Sequence, residues 1–201
     1  FAQRGSPLAI YRSYVIPNNQ ILYTIALPYW FQLLPPGIEP VFWFRLLSFL
    51  FGIATLLLFY RFFRVRMAGG TILLPVLTAM AVSVPFLIYA TALRGYMPSA
   101  LFIVLALHTA LNFAGKPEWK RGFWYALASL GAVATIPSNL AVLAGVVLYA
   151  LPLFGNGFWK RRAFWILALI PPAMFLLFYL PILPSFLGCL RLGEGWDSGW
   201  G

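Results

Sequence analysis

The sequence predicts an all-α protein: a polytopic transmembrane helical bundle that includes one short, broken helical hairpin. Three observations carry this expectation. Of the 201 residues, 62% are hydrophobic and only 9% are charged, whereas a soluble domain carries about a quarter charged residues. The apolar residues come in long runs rather than in the short periodic stripes of soluble helices. The Lys and Arg residues collect in clusters between those runs, where the positive-inside rule puts them.

The elements follow in order. Residues 1–19 mix polar and apolar side chains, and residues 20–34 are apolar but short and broken by Pro28. Tyr23, Tyr29 and Trp30 suit the headgroup region, where amphipathic rings collect. Residues 1–40 therefore read as an external loop ending in an interfacial helix. Residues 41–63 are apolar except for Arg45 and end in Arg61, Arg64 and Arg66. Residues 71–93 carry no charge, and residues 96–114 follow Arg94 and run into Lys116, Lys120 and Arg121. Each of these runs meets the requirement of about 20 residues for one crossing. A last run, 163–186, is interrupted by Pro171, Pro172 and Pro181, and residues 187–201 form a second external loop.

Residues 122–158 are too long for one crossing and marginal for two. Basic clusters flank both ends, so both ends belong on the cytoplasmic side, and the stretch must turn back at Pro137-Ser138-Asn139. Each limb is then about 15 residues, or roughly 22 Å of helix, short of the ~30 Å hydrocarbon core. A turn at depth must be buried in protein or line a cavity, because lipid cannot satisfy its backbone. Ala128/Ala132 and Ala141/Gly145 give the limbs small-residue faces. The expectation is a hairpin whose limbs pack on each other and whose tip faces a polar cavity.

Orientation counts consistently. Arg61, Arg64, Arg66, Lys116, Lys120, Arg121, Lys160, Arg161 and Arg162 fall inside; Arg4, Arg12, Arg45, Arg94 and Arg191 fall outside, which accounts for all 14 basic residues. The net charge of +10 does not indicate nucleic acid, because no segment offers a contiguous basic face. Cys189 stands alone, which excludes an intrachain disulfide and a thiolate metal site. No phosphate-binding glycine loop, metal-spaced His/Cys set or nucleophile elbow occurs, so no metal or cofactor is expected. Phe1 opens the chain without a signal-peptide pattern, and no linker divides it. It reads as a single transmembrane domain and a fragment of a longer protein.

Few residues are candidates for chemistry. The acids are Glu39, Glu118, Glu194 and Asp197. Glu39 lies in a Pro/Gly turn, Glu118 balances neighbouring lysines, and the other two share a Gly-rich loop with Trp196 and Trp200. His108, the sole histidine, is expected to hydrogen-bond a neighbouring helix. Arg45 and Arg94 stand at the outer ends of apolar runs, where they snorkel toward headgroups or capture an anionic headgroup.

The order of motifs resembles that of GT-C membrane glycosyltransferases, in the branch related to dolichyl-phosphate-mannose protein mannosyltransferases (glycosyltransferase family 39). Pro17-Asn18-Asn19-Gln20-Ile21-Leu22-Tyr23-Thr24 resembles that family's PNNH-x-LYT signature, Phe44-Arg45-Leu46-Leu47-Ser48 its LR-L-P-S helix start, and Ala92-Leu93-Arg94-Gly95-Tyr96 its R-x-Y. The Pro-Ser-Asn break sits where the family has a broken helix pair. The resemblance covers nearly the whole chain. It implies sugar transfer from a polyprenyl-phosphate donor on the non-cytoplasmic face of a bacterial-type inner (plasma) membrane, with the bilayer, the lipid-linked donor and membrane subunits as partners.

By the same resemblance Asn18, Asn19, Gln20, Arg45, Arg94 and Tyr96 bind substrate. The family's catalytic Asp has no counterpart here, since no acid precedes Glu39, and Gln20 stands where the family has His. The alternative is a non-catalytic membrane scaffold subunit or a transporter-like protein. Sparse intramembrane charge argues against ion coupling, which needs buried carboxylates.

Overall fold

The computed structural model describes residues 8, 11, 20–66, 72–184 and 187. Among them the regular structure is all helical: α1 (Ile21–Gln32), α2 (Pro40–Arg66), α3 (Leu73–Val82), α4 (Val84–Thr91), α5 (Tyr96–Gly115), α6 (Trp119–Thr135), α7 (Asn139–Ala150) and α8 (Arg162–Tyr179). Short 3₁₀ turns follow at Leu151–Phe154, Phe158–Lys160 and Leu180–Ile182.

Three helices are long and apolar enough to cross a membrane: Pro40–Arg64, Tyr96–Gly115 and Arg162–Ile182. The uncharged run 71–93, expected as one crossing, forms two helices bent by 59°, which together are long and apolar enough to make a fourth span. The break has a local cause. Pro85, in the first turn of α4, lacks the N–H that would continue the α3 ladder and its ring collides with the preceding turn. Ser83 turns to extended geometry (φ −66°, ψ 139°), and its hydroxyl donates to Met80 O at 2.8 Å.

Other prolines do less than expected. Pro28 lies inside α1, and Pro171 and Pro172 inside α8, without ending either helix. The Pro171-Pro172 pair removes two hydrogen-bond donors, and α8 continues because its neighbours hold it, with Leu167 and Pro171 fully buried. Pro181, like Pro152 after α7, coincides with a change from α-helix to 3₁₀.

α2 and α5 run parallel, with α3 and α4 as the return. Ser48 meets Ala92, ahead of α5, the Phe62 ring meets His108, and Arg66 meets Asn112 at the far end. α6 returns antiparallel to α5 and α7 descends again. α8 rises beside α6, so that Tyr179 lies at the level of Val133. The core is built on small residues: Ala106 and Ala110 of α5 and Ala128 and Ala132 of α6 are buried, and the Phe102 ring lies over Gly131.

α6 and α7 do form the hairpin, 17 and 12 residues long, but not by limb-on-limb packing. α6 packs chiefly on α5 and α8, and α7 on α5 and α8. Ala141 and Gly145 face outward, with open space around Gly145, and Leu143, Val146, Val147 and Ala150 turn inward instead. The small-residue face of α7 is therefore not a helix contact. Leu143 and its neighbours win the interior because they bury more apolar area there.

α1 is more than a surface element. It lies antiparallel to the start of α2, clasped by two reciprocal indole bonds: Trp30 Nε1 donates to Trp43 O at 2.7 Å and Trp43 Nε1 to Trp30 O at 2.9 Å. The two rings stack with centroids 4.6 Å apart. Glu39 caps α2, its Oε2 accepting the Phe42 N–H at 2.8 Å, as a carboxylate at a helix N-terminus does.

Candidate functional site

The antiparallel run of α1 carries its first residues inward, to the level of Ser48. That level lies eight residues into α2, about 12 Å from its start at 1.5 Å per residue. There α1, α2, the α4–α5 turn and the α6–α7 turn converge on buried polar side chains. Ser48 Oγ donates to Ala92 O at 2.8 Å, which uses its only hydrogen. In the 2.8 Å contact between Tyr23 and Ser48, Tyr23 is therefore the donor. Gln20, also buried, accepts the Gly95 N–H on Oε1.

Glycine is required at position 95 by proximity, not by φ. A Cβ there would sit 2.9 Å from Thr135 Cγ2, 3.1 Å from Tyr23 Cβ and 3.2 Å from Gln20 Cβ. Two elements, α1 with its N-cap and the end of α6, close on a backbone that has no side chain.

The α6–α7 turn is fixed in the same way. Asn139 Nδ2 donates to Ser99 Oγ at 2.7 Å and to Ala132 O at 2.8 Å. Tyr179 Oη donates to Val133 O at 3.0 Å. Carbonyls near a helix C-terminus run short of intrahelical donors; Tyr179 serves Val133 O, and Asn139 adds a second donor to Ala132 O, which also accepts the Ile136 N–H at 3.1 Å. At this turn Ser138 is exposed and Asn139 fills the interior.

The residues expected to bind substrate are only partly brought together. Gln20, Arg94 and Tyr96 lie around Gly95. Arg94 is exposed, and its Nη1 donates to Tyr96 Oη at 3.4 Å. Tyr96 packs on Tyr89 with centroids 4.7 Å apart. Arg45 is exposed on α2 and bonds none of these residues. Asn18 and Asn19 lie outside the described residues, as do Cys189, Glu194 and Asp197. Gln20 acts as a strut, because its oxygen is already taken by Gly95.

Tyr23, expected at the headgroups, is 3% exposed. Tyr23, Ser48, Ser99 and Asn139 were not legible as one group, being 25 to 116 residues from one another along the chain. The signal that marks them is a hydrogen-bonding side chain inside an otherwise apolar run. Among the described residues no cluster of three His, Cys, Asp or Glu side chains suits a metal ion.

The opposite end is basic. Arg66 Nη2 donates to Asn112 Oδ1 at 3.2 Å, and Arg121 Nη1 to Asn112 O at 2.8 Å, joining the ends of α2, α5 and α6. Glu118 pairs with Lys116 at 2.5 Å and with Arg121 at 3.2 Å. The hydrogen bond from Lys116, then the nearby positive charges, hold its carboxyl below the usual carboxylate range. His108 finds its partner on its own helix, Asn112 Nδ2 at 3.0 Å, and not on a neighbour.

An open apolar groove at this end runs between α8 and the Phe113, Gly122, Phe123 and Ala126 surface. Beside it Trp165, Leu169 and Ala173 form an open apolar face of α8. Comparison with known protein families, characterised proteins and solved structures found no match to this chain.

Proposed function

We propose that the chain is a polytopic membrane bundle and a piece of a GT-C-type glycosyltransferase. It would move a sugar from a polyprenyl-phosphate carrier to an acceptor on the non-cytoplasmic face. The membrane half of this reading is supported by where side chains go. α6 turns Phe123, Trp124 and Leu127 outward and buries Ser129 and Thr135. That polarity is the reverse of a water-soluble helix and suits hydrocarbon, which leaves small and hydrogen-bonding residues for the helix contacts. Leu57, Leu148 and Leu177 are likewise more than 60% exposed, at 63%, 65% and 64%. The basic end is then cytoplasmic by the positive-inside rule.

The transferase half rests on one observation. The segments that resemble the family, far apart in sequence, meet at the end opposite the basic clusters. Gln20 and Tyr23 of the first, Ser48 of the second and Gly95 of the third are joined by hydrogen bonds. Thr135, just before the Pro-Ser-Asn turn, lies beside them.

In such a reaction a carboxylate takes the proton of the acceptor hydroxyl. The acceptor oxygen then bonds to the anomeric carbon as the bond from that carbon to the phosphate oxygen breaks, and the lipid phosphate leaves with the electron pair. Arg94, exposed at this end and oriented by Tyr96, supplies the positive charge for the departing phosphate.

Among the described residues the acids are Glu39, which caps α2, and Glu118, at the opposite end. The base would lie outside them. This same observation favours a second reading, a membrane scaffold that keeps the framework without the chemistry.

The test is Arg94→Ala in the native protein, assayed in membranes for transfer from polyprenyl-phosphate-linked sugars. Transfer is expected to fall about 100-fold or more, with the fold retained because the side chain is exposed. Undiminished turnover overturns the role of Arg94. A native protein that transfers no such sugar is the scaffold.

A further inference from the structure

Asn112 stands between two side chains that make opposite demands on its amide. Arg66 Nη2, from the end of α2, donates to Asn112 Oδ1 at 3.2 Å. Asn112 Nδ2 lies 3.0 Å from His108 Nε2, one turn back on α5. A guanidinium carries donors only, so Arg66 decides which end of the amide is its oxygen. The NH2 is then turned toward His108, and Nε2 is the ring nitrogen that accepts. His108 is therefore neutral, with its hydrogen on Nδ1. Nδ1 is buried and bonds nothing among the described residues, so Asn112 alone sets this tautomer.

The helix α2 also holds the ring from its side. Phe62 meets it edge-on with centroids 5.5 Å apart, and the Arg66 guanidinium lies over the same Phe62 ring at 4.1 Å. Arg66, Phe62, His108 and Asn112 thus close a circuit of contacts between α2 and α5. The charges that face His108 are Arg66 and Arg61 of α2. From α6, Arg121 Nη1 reaches the Asn112 carbonyl, and Glu118 is occupied by Lys116 and Arg121. Among the described residues no carboxylate pairs with His108 or Arg66.

We infer that His108 and Asn112 form a proton-operated latch, in which a proton bound at His108 Nε2 reverses the Asn112 amide and releases Arg66, freeing the end of α2 from α5. The step takes up one proton from water and forms one N–H bond; the ring becomes a cation, and no other covalent bond changes. Nε2 then donates, and Asn112 can answer only by turning its oxygen to the ring. Its NH2 now faces Arg66, donor against donor. The cationic ring repels the same guanidinium, with no carboxylate placed to absorb the charge. The latch does not rest on the transfer chemistry, and either outcome for Arg94→Ala leaves it untouched.

His108 is the sole histidine, so the untagged native protein, labelled with heavy-nitrogen histidine in a lipid nanodisc, gives the magnetic resonance spectrum of one ring. At about pH 8 the hydrogen should sit on Nδ1, with the Nε2–H form about tenfold scarcer, the size of one hydrogen bond. On acidification toward about pH 5 the ring should gain its second hydrogen. Spin labels at Arg64→Cys and Gly115→Cys, in a Cys189→Ser background, report the separation of the two helix ends. That separation should be narrowly distributed at the higher pH and widen with the midpoint of the ring titration.

Two variants isolate the amide. His108→Gln gives Asn112 a permanent acceptor that does not titrate, so the narrow separation should persist on acidification. Asn112→Asp offers an acceptor to both neighbours, so the ring hydrogen should move to Nε2 and Arg66 should stay bound at both pH values. Hydrogen on Nε2 in the native protein at the higher pH overturns the latch, as does a ring that takes no second hydrogen. Widening that persists in His108→Gln would place the titrating group elsewhere and overturn it too. Widening in Asn112→Asp equal to that of the native protein would show that repulsion moves α2 without the amide, and the latch would fall.

Discussion

At the end of the bundle around Ser48, Gly95 and Asn139, the buried polar groups are uncharged and paired with backbone or with one another, with Arg94 exposed beside them. At the end around Arg66, Asn112 and Glu118 they are mostly charged and lie at the surface, and Asn112 alone ties them across helices. In the first region the partners come from separate elements, so each hydrogen bond fixes one helix against another: Tyr23 on Ser48, Gln20 on Gly95, Asn139 on Ser99. In the second, Glu118 has its partners within three residues, Lys116 and Arg121, and such a bond says little about how helices pack. Buried hydrogen bonds between elements specify geometry because leaving one unmade is costly. Exposed ion pairs add little, and salt screens them. The contrast assigns the two ends different work: the polar end holds a fixed geometry, and the basic end presents charge.

Glycines give the largest expected difference between the ends. Gly95→Val places a branched side chain where three residues already lie within 3.2 Å of a single added carbon. Overpacking of this kind costs about 1–3 kcal/mol and at times more. The thermal midpoint of the detergent-solubilised protein should drop by several degrees. Gly115, the last residue of α5, has open space around it. Gly115→Ala should leave the midpoint unchanged or raise it slightly, by no more than the ~1 kcal/mol by which Ala outranks Gly in a helix. If both variants behave alike, the polar end is no tighter than the basic one, and the comparison fails.

A smaller effect distinguishes the two asparagines. Asn139 is buried and makes two bonds with its amide, to Ser99 and Ala132. Asn139→Ala should cost about 1–2 kcal/mol and speed proteolysis at the α6–α7 turn. Asn112 accepts from Arg66 on the exposed face at 3.2 Å. Asn112→Ala should cost about 0.5 kcal/mol or less. Equal unfolding shifts for the two would show that the turn is held by packing alone.

This distinction also explains what the sequence made legible. Run length and charge gave the helices α2, α5 and α8 to within a few residues, and parity of the basic clusters gave the α6–α7 turn. Both are properties of contiguous segments. The bend at Ser83 was missed because hydropathy does not register one proline in an uncharged run, although Pro85 was there to be read. Pro28, Pro171 and Pro172 show the converse, since packing against neighbours carries a helix through a proline that sequence alone marks as a break. The packing of α7 was misread because a small-residue face permits a close contact without requiring one. Arg94, Tyr96 and Gln20 were found by resemblance, yet nothing local announced that Gln20 would be spent on Gly95. Side-chain pairs separated by tens of residues become visible only once the fold brings them together.

The smallest expected effect lies at Glu118. Its carboxyl is held below its ordinary value, first by the hydrogen bond from Lys116 and then by the charges of Lys116 and Arg121. A depressed value in the folded state means that the stabilisation is complete above the unfolded value of 4.5. It disappears as the pH falls through the folded value, because the unfolded chain then no longer binds more protons than the folded one. The thermal midpoint should therefore dip slightly on acidification below 4.5, and Glu118→Gln should remove that part of the dip. Because the group is exposed, added salt should shrink the difference further.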